Sequence, residues 1–330
     1  MINIVGKRGW YFLFSALVIL PALISLILPP GGWSTLDSGL KPGIDFTSGS
    51  VMDITFTARV SQTEIQDRMK MLGHPEALIQ STGPKSVLIR TKRLAESTGG
   101  TRPERQLIQA DLDKQIAPIE SANFDSISPI IARETVRNTF FALIVASVFI
   151  LFFIWYAFRR APKAYRYGIS AIIALVHDTV IVLGVFSILG RFLSIEVNTT
   201  FIIGILTVAG YSVNDTIVVF DRIRENIIRH PDQAFDRLVN TSIIETIGRS
   251  LNTSFTTFLV VLAMLLIGGP SIRGLLLVVA IGIIVGTYSS IFVASQFLVM
   301  WDKGEFGKVF RLGRRTQNAV TTGLLALIPR

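Results

Sequence analysis

The chain has 330 residues, half of them hydrophobic and 17% charged, with a mean hydropathy of +0.54. That is too apolar for a soluble globule and directs the reading toward membrane spans. It contains no cysteine, which excludes disulfides, thiolate metal sites and a cysteine nucleophile, while the net charge of +9 has to be located along the chain before it is read as affinity for nucleic acid.

A helix needs about 20 apolar residues to cross ~30 Å of hydrocarbon. The first such run is Trp10–Leu28, preceded by Lys7 and Arg8. At about 19 residues it exceeds the apolar core of a signal peptide, and Pro29–Pro30–Gly31–Gly32 makes a poor cleavage site, so an uncleaved anchor is expected. A domain-sized segment of about 100 residues follows. It reads as strand Val51–Thr57, helix Ser61–Leu72, strands Ala77–Ser81 and Ser86–Lys92, helix Arg102–Ile116 and strand Ala122–Ile130. "VMDITFT" alternates with the period of a half-buried strand, and Ser61 with Glu64 has the spacing of a capping box. The order βαββαβ is that of a ferredoxin-like fold. No catalytic cluster accompanies it, so a docking or substrate-contact module is expected.

Five further apolar runs follow: Thr139–Phe158, Gly168–Leu189, Val197–Phe220, Ser250–Gly268 and Ile272–Met300. The fifth span opens on a polar Ser/Thr/Asn turn. Basic residues collect in alternate loops: Arg159, Arg160, Lys163 and Arg166; Arg222, Arg224, Arg229 and Arg237; then Lys303, Lys308, Arg311, Arg314 and Arg315. The opposite short loops carry only Arg191 and Arg273. By the positive-inside rule both termini are cytoplasmic, and the net charge records topology, with no nucleic-acid partner. The expected fold is a polytopic α-helical membrane protein with six transmembrane helices and one extracytoplasmic α+β ferredoxin-like domain between helices 1 and 2. Its divisions are residues 1–28, 29–135, 136–301 and a cytoplasmic tail at 302–330.

No phosphate-binding loop and no H-E-x-x-H occur, and His74, His177 and His230 are scattered. "GGPSIRG" around Ser271 spaces its glycines wrongly for a nucleophile elbow. Neither enzyme activity nor a metal or cofactor is expected. What remains are ionisable groups inside the spans. Asp178 lies near the middle of the third. Asp215 lies six residues before Asp221, roughly 9 Å from the cytoplasmic end of the fourth, and Arg249 opens the fifth. A central charge costs about 2.5–3.5 kcal/mol, so such groups face the bundle and pair. Asp215 and Arg249 are expected to meet at similar depth, either as a staple between helices or as a proton switch. Tyr211, Ser212 and Asn214 beside Asp215, and Asn252, Thr253, Ser254, Thr256 and Thr257 after Arg249, favour the switch, because hydroxyls and amides hold water. Gly184, Gly190, Gly204 and Gly210, with the Gly282/Gly286 pair, read as close-packing positions.

"GIDFTSGS" (Gly43–Ser50), "VHD" (Val176–Asp178), "AGYSVNDTIVVFDRIREN" (Ala209–Asn226) and "ETIGRSLNTSFTT" (Glu245–Thr257) together resemble the SecF family of protein translocase subunits. The resemblance runs from the first span through the sixth. Ser48 replaces a glycine of the family pattern, and the tail beyond Arg315 matches nothing assignable. The resemblance implies an accessory subunit of bacterial Sec export in the inner membrane, related in fold to resistance–nodulation–division transporters. It also implies a SecD-like partner, the SecYEG channel and an exported preprotein. On the matching positions Asp215 is the proton-responsive carboxylate, Arg249 its basic partner, and Asp178 a further motif residue. The alternatives are half of a small-molecule or lipid exporter of that superfamily, which normally carries two large loops and twice the spans, and a scaffold without ion coupling.

Overall fold

The computed structural model describes residues 2–27, 39–95, 102–159, 163–193, 195–268 and 270–305, apart from the side chains at 270 and 271. Residues 28–38 after the first span, Arg160, the Ser271 side chain and the tail with Lys308, Arg311, Arg314 and Arg315 therefore lie outside what is described.

The chain forms two compact units. One comprises Lys41–Ala142 together with Glu196–Thr199. It starts with a short helix, α2 (Ile44–Thr47), and continues through β1 (Gly49–Phe56), α3 (Gln62–Met71), β2 (Leu78–Ser81), β3 (Ser86–Thr91), α4 (Glu104–Gln115) and β4 (Ile119–Ile127). The strands form one antiparallel sheet in the order β2-β3-β1-β4, the expected βαββαβ arrangement. Alternate residues of a strand face opposite sides. Met52, Ile54 and Phe56 of β1 and Val87 and Ile89 of β3 thus point to one side, where Ile65 and Met69 of α3 and Ile108 and Leu112 of α4 cover them. Ser61 does cap α3 by position, but its hydroxyl bonds Thr63 Oγ1 at 2.7 Å, and the expected capping box is not formed. The last strand starts and ends three residues earlier than its pattern indicated, because Pro129 opens a helix.

Ser48 lies at φ 64°, ψ 167°, a region that is essentially glycine-only. The segment around α2 also grips the stretch Glu196–Thr199. Val197 N donates to Lys41 O, Gly43 N donates to Val197 O, Thr199 N donates to Asp45 Oδ2 at 2.6 Å, and Arg90 pairs with Glu196.

The other unit holds the spans, apart from residues 129–142 at the start of the second and Thr199 at the start of the fourth. The spans are Val5–Ile27, Pro129–Ala157, Tyr165–Leu193, Thr199–Arg229, Phe235–Ile267 and Ile272–Asp302. As helices these are α1 (Arg8–Ile27, after a 3-10 turn at Val5–Lys7), α5 (Pro129–Ala157), α6 (Tyr165–Leu193), α7 (Thr199–Arg229) and α8 (Phe235–Ile267). The sixth is α9 (Pro270–Ser289), a π segment (Ser290–Ala294) and α10 (Ser295–Asp302) in continuous register. Half or more of the apolar windows of α6, α7 and the sixth span is buried, against 6–17% for α1, α5 and α8, so the former three make the centre. Tyr167, Phe158 and Phe220 pack ring on ring within the main core.

Among the packing glycines, Gly184 lies so close to α1 that an added Cβ would fall 2.6 Å from the Cα of Ala22. Gly204 faces Val278, Gly282 faces Val208, and Gly286 faces Ser212. Gly210 has nothing within 4 Å of such a Cβ, so close packing is not its role here. The fifth span begins fifteen residues before the apolar run, since Phe235–Arg249 is helical although polar. Its start holds the N-terminal segment: Asn240 Oδ1 accepts from the N–H groups of Ile4 and Val5, and Asn240 Nδ2 donates to Ile2 O.

Candidate functional site

Asp178 is fully buried at the middle of α6, and both its carboxylate oxygens are engaged, by groups on α6, α7 and α9. Its Oδ2 accepts from Ser212 Oγ of α7 at 2.6 Å and from Ser289 Oγ of α9 at 2.7 Å. Its Oδ1 lies 2.9 Å from His177 Nδ1, whose other nitrogen lies 3.0 Å from Ser15 Oγ of α1. With Nδ1–H directed at the carboxylate, Nε2 accepts the Ser15 proton, and one tautomer satisfies both contacts. His177 thus orients its neighbour, and Asp178 joins α6, α7 and α9 at a single point.

The π segment adjoins this point. Thr216 Oγ1 lies 2.8 Å from Ser290 Oγ, which donates to Ser212 O, while Ser295 Oγ returns to Ser290 O. One extra residue per turn frees backbone carbonyls, and such π turns recur at functional positions in helices. Here one serine hydroxyl, Ser295 Oγ, occupies a carbonyl of the π segment, Ser290 O.

Asp215 is different. It is 6% exposed, and its Oδ2 has no hydrogen-bond partner. The side chain interacting with it is Ser250 of α8, 1% exposed, whose hydroxyl meets no partner at ordinary hydrogen-bond distance and angle. Arg249, expected to meet Asp215, is exposed and makes no ion pair among the described residues. Successive helical residues diverge by about 100°, so with Ser250 turned inward Arg249 must turn outward. α8 buries Ser242, Thr246, Ser250 and Ser254, one position per turn, which leaves Arg249, Asn252 and Thr253 on its outer face.

The expected polar company divides along the same line. Ser212 serves Asp178. Tyr211 is half-buried and donates to Ser254 Oγ at 3.1 Å, which also accepts from Thr287 at 2.6 Å. Asn214 is exposed on α7, and Asn252 and Thr253 are exposed on α8, the latter bonding only to its own helix at Arg249 O. Ser15, Ser250, Thr287, Ser289 and Ser290 were not legible as site residues. Their signal is a hydroxyl inside an apolar run, as in "GTYSSIF", and hydroxyls are common enough in spans to carry little weight alone. No group of three or more His, Asp or Glu able to hold a metal occurs among the described residues.

The family described as "Protein export membrane protein SecD/SecF, C-terminal" matches residues 108–304. The chain is 38% identical to the protein translocase subunit SecF of Thermobaculum terrenum over 94% of this chain and 97% of that one. It is 33% identical to that of Anaerolinea thermophila over 97% and 100%. Among solved structures it superposes on SecDF of Thermus thermophilus, a translocon-associated membrane protein, with a TM-score of 0.75 and 30% identity. That alignment takes in 92% of this chain and 39% of the SecDF chain, so the present chain spans about two fifths of that longer one. The buried Asp178 hub, the Asp215 motif and the six spans thus fall in matched sequence, and the chain belongs to the SecD/SecF family of protein-export membrane proteins, as a multi-pass accessory subunit of Sec translocation.

Proposed function

We propose that the chain forms one half of a proton-coupled device with a SecD-like partner, using the proton gradient to assist preprotein export through the SecYEG channel. The observation that carries this reading is the pairing of a buried carboxylate with an unused oxygen, Asp215, and a polar face turned outward beside it. A carboxylate already saturated with donors, like Asp178, is a structural tie. One with a free oxygen gains or loses a proton without first breaking a network. Arg249, Asn214, Asn252 and Thr253 face what would be hydrocarbon, where a central charge costs about 2.5–3.5 kcal/mol. Protein must cover that face, and a second six-span half supplies the cover. That the SecDF chain exceeds this one in length supports the same division.

In the proposed cycle, protonation of Asp215 alters its interactions at the α7–α8 contact, and Asp178 transmits the change to α6 and α9. One charge moved through 100 mV supplies about 2.3 kcal/mol, enough to bias a two-state rearrangement. The basic loops support cytoplasmic termini in the bacterial inner membrane.

The test uses inverted vesicles carrying the full chain with its SecD-like partner, and reads preprotein export with and without the gradient. Asp215→Asn keeps the volume and loses gradient stimulation while the complex stays intact. Asp215→Asn combined with Arg249→Gln stays equally unresponsive. Normal gradient dependence in that double variant would refute the reading.

A further inference from the structure

A buried carboxylate exchanges protons only through a path to water. At the end of the bundle that carries the N-terminus, a cavity of about 700 Å³ opens among Arg8, Asn226, Arg237, Asn240, Glu245 and Lys303. Its wall continues inward. Asn226 is 4% exposed and donates both to Glu245 Oε2 and to Ser242 Oγ, each at 2.9 Å. From Ser242 the inner stripe of α8 carries a hydroxyl at every fourth residue: Ser242, Thr246, Ser250 and Ser254. Each step is about 6 Å along the axis, which one water between hydroxyls bridges. The third hydroxyl faces Asp215.

The pattern of satisfaction gives the path a direction. Beyond Asp178, away from the termini, the buried hydroxyls are paired, as Ser25 is with Ser187 at 2.7 Å. Among the described residues, the hydroxyl, amide and carboxylate atoms within the spans that are buried without a partner are those of Ser170, Asp215, Ser250 and Gln296. All four lie between Asp178 and the end with the termini. A buried polar group left unbonded costs roughly 1–3 kcal/mol, and water reaching these hydroxyl, amide and carboxylate groups of four helices would remove that cost.

We propose that Glu245, Asn226, Ser242, Thr246 and Ser250 form a hydrated access route joining the cavity at the terminal end to Asp215. Glu245 stands at the mouth, held by Arg222 and Asn226. Thr246 and Ser250 are positioning residues: their hydroxyls order the water that reaches the carboxylate. The route rests on the proposed proton-coupled role of Asp215, and it separates the inner face of α8 from the outer face that bears Arg249.

The chain lacks cysteine, so single cysteines report without a background. In inverted vesicles containing the chain and its partner, Thr246→Cys and Ser250→Cys are exposed to a membrane-impermeant methanethiosulfonate. Only a thiolate in water reacts, so both label at least roughly tenfold faster than Val239→Cys, a dry core position on the same helix. Right-side-out vesicles show no such labelling. Protection of both cysteines to the level of Val239→Cys overturns the route. Independently, Thr246→Val and Ser250→Ala, which delete hydroxyls, slow gradient-driven export severalfold and leave gradient-independent export unchanged. If both retain full gradient stimulation while Asp215→Asn abolishes it, the route is wrong and the switch stands. If Asp215→Asn itself retains stimulation, the switch is wrong, whatever the labelling shows.

Discussion

Replacing Asp178 by leucine removes the acceptor that three helices share. The loss is computable contact by contact. Ser289 Oγ keeps an alternative acceptor in Gly286 O at 3.2 Å. Ser212 Oγ and His177 Nδ1 have no other partner, so two buried polar groups are stranded, His177 Nδ1 as donor or acceptor according to tautomer, at about 1–3 kcal/mol each, or roughly 2–6 kcal/mol together. Against a total stability of about 5–15 kcal/mol that is a severe defect. Asparagine behaves differently. Its Oδ1 accepts from Ser212 and Ser289, while its amide faces His177 Nδ1. The imidazole accommodates this by changing tautomer: Nδ1 accepts, Nε2 donates to Ser15, and Ser15 donates to Tyr288 OH, 3.3 Å away. The cost of Asp178→Asn is therefore below about 1.5 kcal/mol. The assay is thermal unfolding of the full chain in mild detergent, followed by the fraction that stays monodisperse after heating. Asp178→Asn stays close to wild type and Asp178→Leu falls far below it. Equal midpoints for the two variants would refute the account of Asp178 as a three-helix tie.

Two further outcomes are expected in the same assay. Ser48→Gly relieves a backbone conformation that costs a non-glycine residue about 1–3 kcal/mol, and the midpoint rises; a fall would show that the serine is held there by contacts worth more than the strain. Gly184→Ala drives a methyl into the backbone of Ala22 and destabilises by about 1–3 kcal/mol, whereas Gly210→Ala meets nothing and is neutral or stabilising by up to ~1 kcal/mol. Comparable losses from the two alanines would show that the helix contacts are misassigned.

The spans and the sheet were legible because each rests on a strong periodicity or a long apolar run. Phe235–Arg249 was missed as helix because its polar residues break the apolar run, although Leu238, Val239, Ile243 and Thr246 keep a helical inner face. At the site the sequence supplied the residues but not their directions. Polar residues near Arg249 were read as one cluster around Asp215. In a soluble bundle burial follows hydrophobicity, whereas α8 turns Ser242, Thr246, Ser250 and Ser254 inward and Leu251, Phe255 and Leu259 outward. Hydropathy therefore does not say which hydroxyls reach a carboxylate; only the neighbouring helices decide. Asp178 had the opposite fate. Nothing near it in sequence announces Ser289, more than a hundred residues away, so its saturation is visible only once α9 is in place.

The grip of the α2 segment on Glu196–Thr199 bears on how a local event travels. α7 is one unbroken helix from Thr199 to Arg229, and its first N–H is clamped by Asp45. Asp215 sits on the same rod, about 24 Å further along. A rod of that length resists compression far better than it resists rotation or tilt, so a slide of Asp215 along its axis reappears undiminished at the clamp. The Asp45 contact is then a strain gauge for the carboxylate. If Asp215 takes up protons as proposed, Asp45→Ala would disconnect the gauge without touching the charge, leaving that uptake intact and motion at Glu196–Thr199 uncorrelated with it.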